Sequence, residues 1–372
     1  MFFLTFSNIW TFSFFFLLTY LTFVISVIVY VLPISNIFSK YSSSKNKNFF
    51  LFINSMDLLL IFSTPYILFF IFNMTWSSPV VSMWFGHLVY SNFQNKIISL
   101  IILNFILVLV LFGSTTYFTS REIYDYTIVL FNFCYWILIL FLANSIFTTI
   151  FIIEVVSTLI FLLITTSTFS SGYFYRNLDF SFGHIFQNST PHTFIQSILY
   201  FFWVSLISSL SLFLFILFFY FKMLTFDWYL SEHIFMYFIT VSSLKDIFSF
   251  GLCWFILLFS IFLKCGIAPL YIWKPMFFKG IPMYSIFFYV SFIYFYLFLF
   301  IIHMLNSYFS EIFYFYSLIT IIFLIMGLAT LLFILCEAFY IKAFIALSSI
   351  LNSLFVLLAL ASTHVNDMLF WL

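Results

Sequence analysis

Apolar residues arrive along this chain in long unbroken runs parted by short polar segments, and the length of the runs is the informative quantity. About 20 consecutive apolar residues form a helix long enough to cross the roughly 30 Å hydrocarbon core of a bilayer. Runs of that kind predict spans at 9–32, 49–74, 97–118, 124–143, 145–169, 195–221, 248–278, 283–305, 312–335 and 340–362. The chain is therefore predicted to be an all-α polytopic membrane protein of about ten transmembrane helices. The seventh run exceeds one straight crossing: about 31 residues at 1.5 Å each make roughly 46 Å. A break at Gly266–Pro269 resolves the excess and makes the seventh helix discontinuous. Residues 222–247 are of mixed polarity and suit an interfacial helix.

Composition agrees. With 65% hydrophobic and 6% charged residues, the chain has too few polar side chains to clothe a soluble domain. A net charge of +1 supplies no basic surface for nucleic acid. The 65 Phe, with abundant Ile, Tyr and Asn, have AT-rich codons and point to an AT-rich coding genome. Four cysteines (Cys134, Cys253, Cys265, Cys336) stand singly, without metal or iron–sulfur spacing, and read as small hydrophobes. The N-terminus has neither a basic signal-peptide start nor an Arg-rich transit peptide, so insertion by the first helix is expected.

The few charges then carry most of the information. Loops after odd-numbered spans hold Lys40, Lys45, Lys47, Arg121, Arg176, Lys274, Lys279 and Lys342, against Lys96, Lys222 and Lys245 after even-numbered ones. That asymmetry predicts odd loops on the matrix or cytoplasmic side and both termini opposite. Most acids fall at span ends and read as solvated loop charges. Lys264 and Glu154 do not fit that scheme. Lys264 ends an apolar run directly before Cys265-Gly266-Ile267-Ala268-Pro269, and Glu154 lies roughly 13 Å into the fifth span. A lysine at the bilayer centre costs roughly 2.5–3.5 kcal/mol on insertion scales, which makes it a functional candidate by default. Pairing with a carboxylate at similar depth lowers the cost of burying each and couples their protonation. Either a static ion pair between two helices or a proton-transfer pair would satisfy this pattern.

The motif around Lys264 resembles a known family. Lys264-x-Gly266-x-Ala268-Pro269-x-x-x-Trp273-x-Pro275-x-x-x-x-Gly280-x-Pro282 is similar to the seventh-helix signature of subunit 2 of the NADH dehydrogenase of respiratory complex I. Glu154-x-x-Ser157-x-x-x-Phe161-x-Leu163 resembles that family's fifth-helix motif. Tyr200-Phe201 with Ser208-Ser209 resembles its sixth helix, and Ile341-Lys342-x-x-x-Ala346-x-Ser348-Ser349-Ile350 the start of its tenth. The chain departs from the family at Leu199 and Tyr294, where lysines are usual, and at Tyr271, Ala343 and Asn352.

The resemblance implies an antiporter-like fold and a proton-translocating subunit of mitochondrial NADH:ubiquinone oxidoreductase in the inner membrane. It implies that Glu154 and Lys264 transfer protons, with Tyr294 and His303 as possible relay groups. Gly266, Pro269, Trp273, Pro275, Gly280, Pro282 and Lys342 would form the structural motif. No cofactor is expected on this chain, since FMN, iron–sulfur clusters and ubiquinone belong to other subunits. Implied partners are membrane-arm subunits 4, 4L and 6, membrane lipid and a separate chain carrying helices 11–14, with both termini on the intermembrane-space side. Three parts are expected: an N-terminal three-helix segment (1–118), core helices 4–7 (119–278) and helices 8–10 (279–372). Two alternatives are a scaffold subunit that has lost pumping and a subunit of an independent cation/proton antiporter.

Overall fold

The computed structural model describes residues 81–83, 86–115, 120–177, 191–241, 244–281, 283–335 and 341–371. The predicted spans 9–32 and 49–74, the loop lysines Lys40, Lys45 and Lys47, and Pro282 and Cys336 lie outside the described residues. A short antiparallel hairpin comes first, β1 (Val81–Met83) against β2 (Leu88–Tyr90). Among the described residues the elements after it are helices: α1 (Asn92–Thr115), α2 (Ser120–Leu142), α3 (Ile146–Asn177) and α4 (Pro191–Met223) come first. The mixed-polarity connection holds α5 (Trp228–Val241). The overlong seventh run is divided into α6 (Leu244–Cys265) and α7 (Trp273–Gly280) by an irregular turn. The eighth predicted span contains α8 (Met283–Phe288), a π-helical turn (Tyr289–Tyr294), α9 (Phe295–His303) and a second π-turn (Met304–Tyr308). Then come α10 (Ser310–Phe315), α11 (Ser317–Leu335) and α12 (Ile341–Trp371).

Among the described residues, six helical stretches are long and apolar enough to cross a bilayer, from Ile146–Thr165 to Ile341–Ser362. Shorter apolar stretches lie in α1 (Lys96–Leu109) and α2 (Val129–Leu142). Their outward faces are as apolar as their inward ones. On α4, Trp203, Leu210, Phe213 and Phe221 are exposed, as are Ile322, Met326 and Phe333 on α11. Such surfaces are stable against lipid, where helices also satisfy every backbone polar group internally. The hydroxyls of Ser205, Ser208 and Ser211 likewise donate to carbonyls three residues back on their own helix. This is an all-α polytopic membrane protein in its architecture.

The described residues form two compact units. One comprises the hairpin, α1, α2, residues 158–177 of α3 and Phe287–Ile293; there Phe105 packs against both Phe131 and Phe292 at centroid distances of 5.4 and 5.2 Å. The other comprises Asn144–Ser157, α4 to α7 with the start of α8, and the chain from Tyr294 onward. An aromatic knot closes one region of this second unit. Phe309 meets Phe219 of α4, Trp228 of α5 and Trp254 of α6. Glu232, which the sequence reads as a loop charge, is half-buried and caps α10: its carboxylate accepts from the Ser310 hydroxyl and, at 3.1 Å, from the Glu311 amide. A carboxylate at a helix N-terminus satisfies amides that have no partner within the helix.

The irregular turn after α6 is held from the side by α11. A Cβ at Gly327 would stand 2.7 Å from the carbonyl carbon of Ala268 and 2.9 Å from the nitrogen of Pro269. Only a residue without a side chain lets the two backbones approach so closely. Gly327→Ala is expected to destabilise the protein by about 1–3 kcal/mol, the usual scale of overpacking. A lowered thermal denaturation midpoint in detergent checks this, and an unchanged midpoint would show that the turn yields freely.

Candidate functional site

The site lies wholly within the second unit. Glu154 is on α3 and Lys264 in the last turn of α6, and the Lys264 ammonium donates directly to Glu154 Oε1. The lysine side chain is 10% exposed and the carboxylate 32%, so the amine is the more buried member of the pair. Two hydroxyls serve the other carboxylate oxygen. Ser209 Oγ on α4 donates to Oε2 at 2.6 Å, and Ser157, one helical turn along α3, lies 3.4 Å from the same atom. Ser209 Oγ is also 2.7 Å from its own Ser205 carbonyl. One proton cannot serve both acceptors, so this hydroxyl can turn between helix and carboxylate.

Lys264 is positioned by the way α6 stops. The helix ends in a left-handed residue, Gly266 at φ +64°, where a Cβ would be strained and would also crowd the Trp273 ring at 3.1 Å. The Ile267 amide reaches back five residues to the Phe262 carbonyl at 2.9 Å, as in a Schellman ending. The next orphan carbonyl, Leu263, accepts from Trp273 Nε1 at 2.8 Å. Trp273 is itself clamped by Phe201 of α4, whose ring also stacks on Phe277 at 5.2 Å. A cation in the last turn of a helix is favoured by the partial negative charge of its carbonyl end. The carbonyl end of α6 thus favours the ammonium form of Lys264 alongside Glu154.

The remaining motif residues follow the same logic. Pro275 lies in the first turn of α7, where a missing amide costs nothing, and the Ala268–Pro269 bond is cis. Gly280 ends α7, and Ile281 after it is extended. The half-buried Lys342 on α12 donates to the Ile281 carbonyl at 2.7 Å, which makes it a strut within the second unit rather than a loop charge. His303 is half-buried at the end of α9, with its ring edge-on to Tyr308 and Ser307 Oγ 3.3 Å from Nδ1. Tyr294 is buried at the end of the first π-turn.

One reading of the sequence needs correction. The sequence reads Lys274 as a charge of the loop after the seventh span, yet it is 0% exposed. Its stem passes Gly266, where a Cβ would stand 3.1 Å from Lys274 Cδ, and its ammonium sits 3.3 Å from the centroid of the Tyr294 ring. The misplacement arose because the chain after the break re-enters the packed interior as α7 instead of leaving it. Sequence reasoning gave no role to Ser209 either; its place in the sixth-span motif was the available signal. Among the described residues, no group of three His, Cys, Asp or Glu side chains could hold a metal ion. The arrangement can hold, release and re-bind a proton between a carboxylate and an amine.

Neither a family model nor a curated protein matches the chain. Among solved structures it is similar to a chain of the membrane-bound sulfane sulfur reductase, an archaeal respiratory membrane complex. The TM-score is 0.62 at 16% identity, and the match covers 93% of this chain. The chain spans 64% of the length of that relative. The likeness is one of fold: the helical framework of this chain is similar to that of a chain of that complex.

The geometry couples Ser209 to Glu154 across 55 positions of sequence. Ser209→Ala and Glu154→Gln are therefore expected to be non-additive in a double-mutant cycle, by about 0.5–3 kcal/mol. Thermal denaturation of the four proteins measures it, and strict additivity would remove Ser209 from the site. Trp273→Phe keeps the ring packing but leaves the Leu263 carbonyl bare, and should cost about 1–3 kcal/mol in the same assay.

Proposed function

We propose that this chain is a proton-translocating subunit of the membrane arm of a complex I-like respiratory assembly. The observation that carries the reading is the Lys264–Glu154 pair, set at a helix ending inside the protein and flanked by a hydroxyl able to switch acceptors. Broken helices beside ionisable groups are how membrane transporters build ion sites. The fold likeness to an archaeal respiratory complex and the resemblance of the Lys264–Pro275 motif to subunit 2 of NADH dehydrogenase support it. The same resemblance makes the mitochondrial inner membrane and NADH:ubiquinone oxidoreductase the favoured setting, with redox cofactors on other subunits. Glu154 tunes Lys264; Lys264 accepts and releases the proton; energy reaches them through conformational or electrostatic coupling.

A scaffold role has one specific observation in its favour: Leu199 and Tyr294 stand where the resembled family carries lysines. The two readings separate in one measurement. Lys264→Ala in the intact complex should lower protons translocated per electron more than it lowers assembly, read with a proton-sensitive dye in native vesicles oxidising NADH. An unchanged stoichiometry would leave the chain as a scaffold.

A further inference from the structure

Lys274 is the least expected residue in the second unit. It is a fully buried amine, and its Nζ has no hydrogen-bond partner. What it faces is the π-face of Tyr294, 3.3 Å from nitrogen to ring centroid. A desolvated ammonium over an aromatic face gains roughly 2 kcal/mol, which offsets only part of the cost of burying a charge. The end of the helix it occupies opposes it further, because Lys274 lies in the first turn of α7, where partial positive charge gathers. Lys264 stands at the opposite kind of helix end and has a carboxylate. The two amines flank one break, ten residues apart in sequence, and their surroundings treat the ammonium in opposite ways.

The groups around Lys274 are few. Cys265, between the lysines in the chain, is a buried free thiol. Beyond the ring lies Ser353 of α12, adjacent to the Tyr294 hydroxyl and donating 2.7 Å to its own Ile350 carbonyl. The carboxylate of Glu154 is engaged with Lys264 and Ser209. A structural cation would be expected to have a carboxylate or a carbonyl, as Lys342 has Ile281. Lys274 instead has an environment that tolerates the amine charged, over the ring, and neutral, in an apolar interior.

We propose that Lys274 is the second proton-carrying amine of this chain, taking the proton from Lys264 and holding it over Tyr294. The transfer balances simply. One N–H bond of the Lys264 ammonium breaks and one forms on the neutral Lys274 amine, a bridging water taking one proton as it gives up another. No electron moves and net charge is conserved. While Glu154 grips Lys264 the proton stays on Lys264; loosening that ion pair removes the main support of the Lys264 ammonium and narrows the difference between the two amines. The assignment rests on the proton-translocating reading above. It also brings an amine from α7 to Tyr294, a position where the resembled family carries a lysine.

The test uses the intact complex in native membrane vesicles, oxidising NADH, with protons per electron read by a proton-sensitive dye and assembly by native gel. Lys264→Ala, Lys274→Met and Lys274→Arg are compared. Met keeps the length without a proton, and Arg keeps a cation that stacks on Tyr294 and does not release its proton. The expected result is that both Lys274 variants lose the same increment of protons per electron as Lys264→Ala. Loss in Lys264→Ala with full stoichiometry in either Lys274 variant would overturn the Lys274 assignment and leave the proposed function standing. Full stoichiometry in Lys264→Ala would overturn both. Assembly with full stoichiometry in Lys274→Arg beside failure of Lys274→Met to assemble would make the residue a structural cation and overturn the assignment.

Discussion

The second unit is organised around a helix that stops inside protein. Ending α6 at Cys265 exposes carbonyls that, without water, must find donors or cost several kcal/mol each. Each solution found dictates a residue. The Phe262 carbonyl takes the Ile267 amide, which requires the positive φ that Gly266 supplies. The Leu263 carbonyl takes the Trp273 indole, which requires a tryptophan at that distance along the chain and an aromatic wall from Phe201 to hold it. The turn between needs room, and Gly327 of α11 gives it. Lys342 closes the far end of α7 on the Ile281 carbonyl. The lysine at the site is thus placed by backbone hydrogen bonding first and by its counter-ion second.

Most of this was legible in the sequence where one signal is local. Span lengths follow from run lengths, and the described helices α1 to α12 lie where the runs predict them. The break in the seventh run follows from its excess length together with Gly266 and Pro269. The pairing of Glu154 with Lys264 follows from depth, because two opposite charges at similar depth in apolar runs have few other partners. What the sequence did not show is set by contacts across long separations. Ser209 reaches Glu154 across 55 positions, and Glu232 reaches Ser310 across 78. Gly327 is one glycine in an apolar run until its neighbour Ala268 is known. Lys274 misled for a different reason: a charge beside a proline after an apolar run resembles a loop in any one-dimensional pattern. Only the packing of α7 shows that the polar-looking segment is interior.

The two lysines illustrate how one physical problem receives opposite treatments within ten residues. A buried amine is stable when charged if it has an acceptor, and stable when neutral if it has none. Lys264 has Glu154 and the carbonyl end of α6. Lys274 has a ring and the amide end of α7. Because the break separates them, a shift of α6 against α3 alters the support of one amine without directly touching the other. A differential response of that kind is what any coupling between conformation and proton affinity requires. A single buried ion pair, by contrast, offers only its own opening and closing to bias. The second amine over Tyr294 therefore gives the broken helix a second state to bias, and it does so with a residue that a motif written around Lys264 and Trp273 leaves blank.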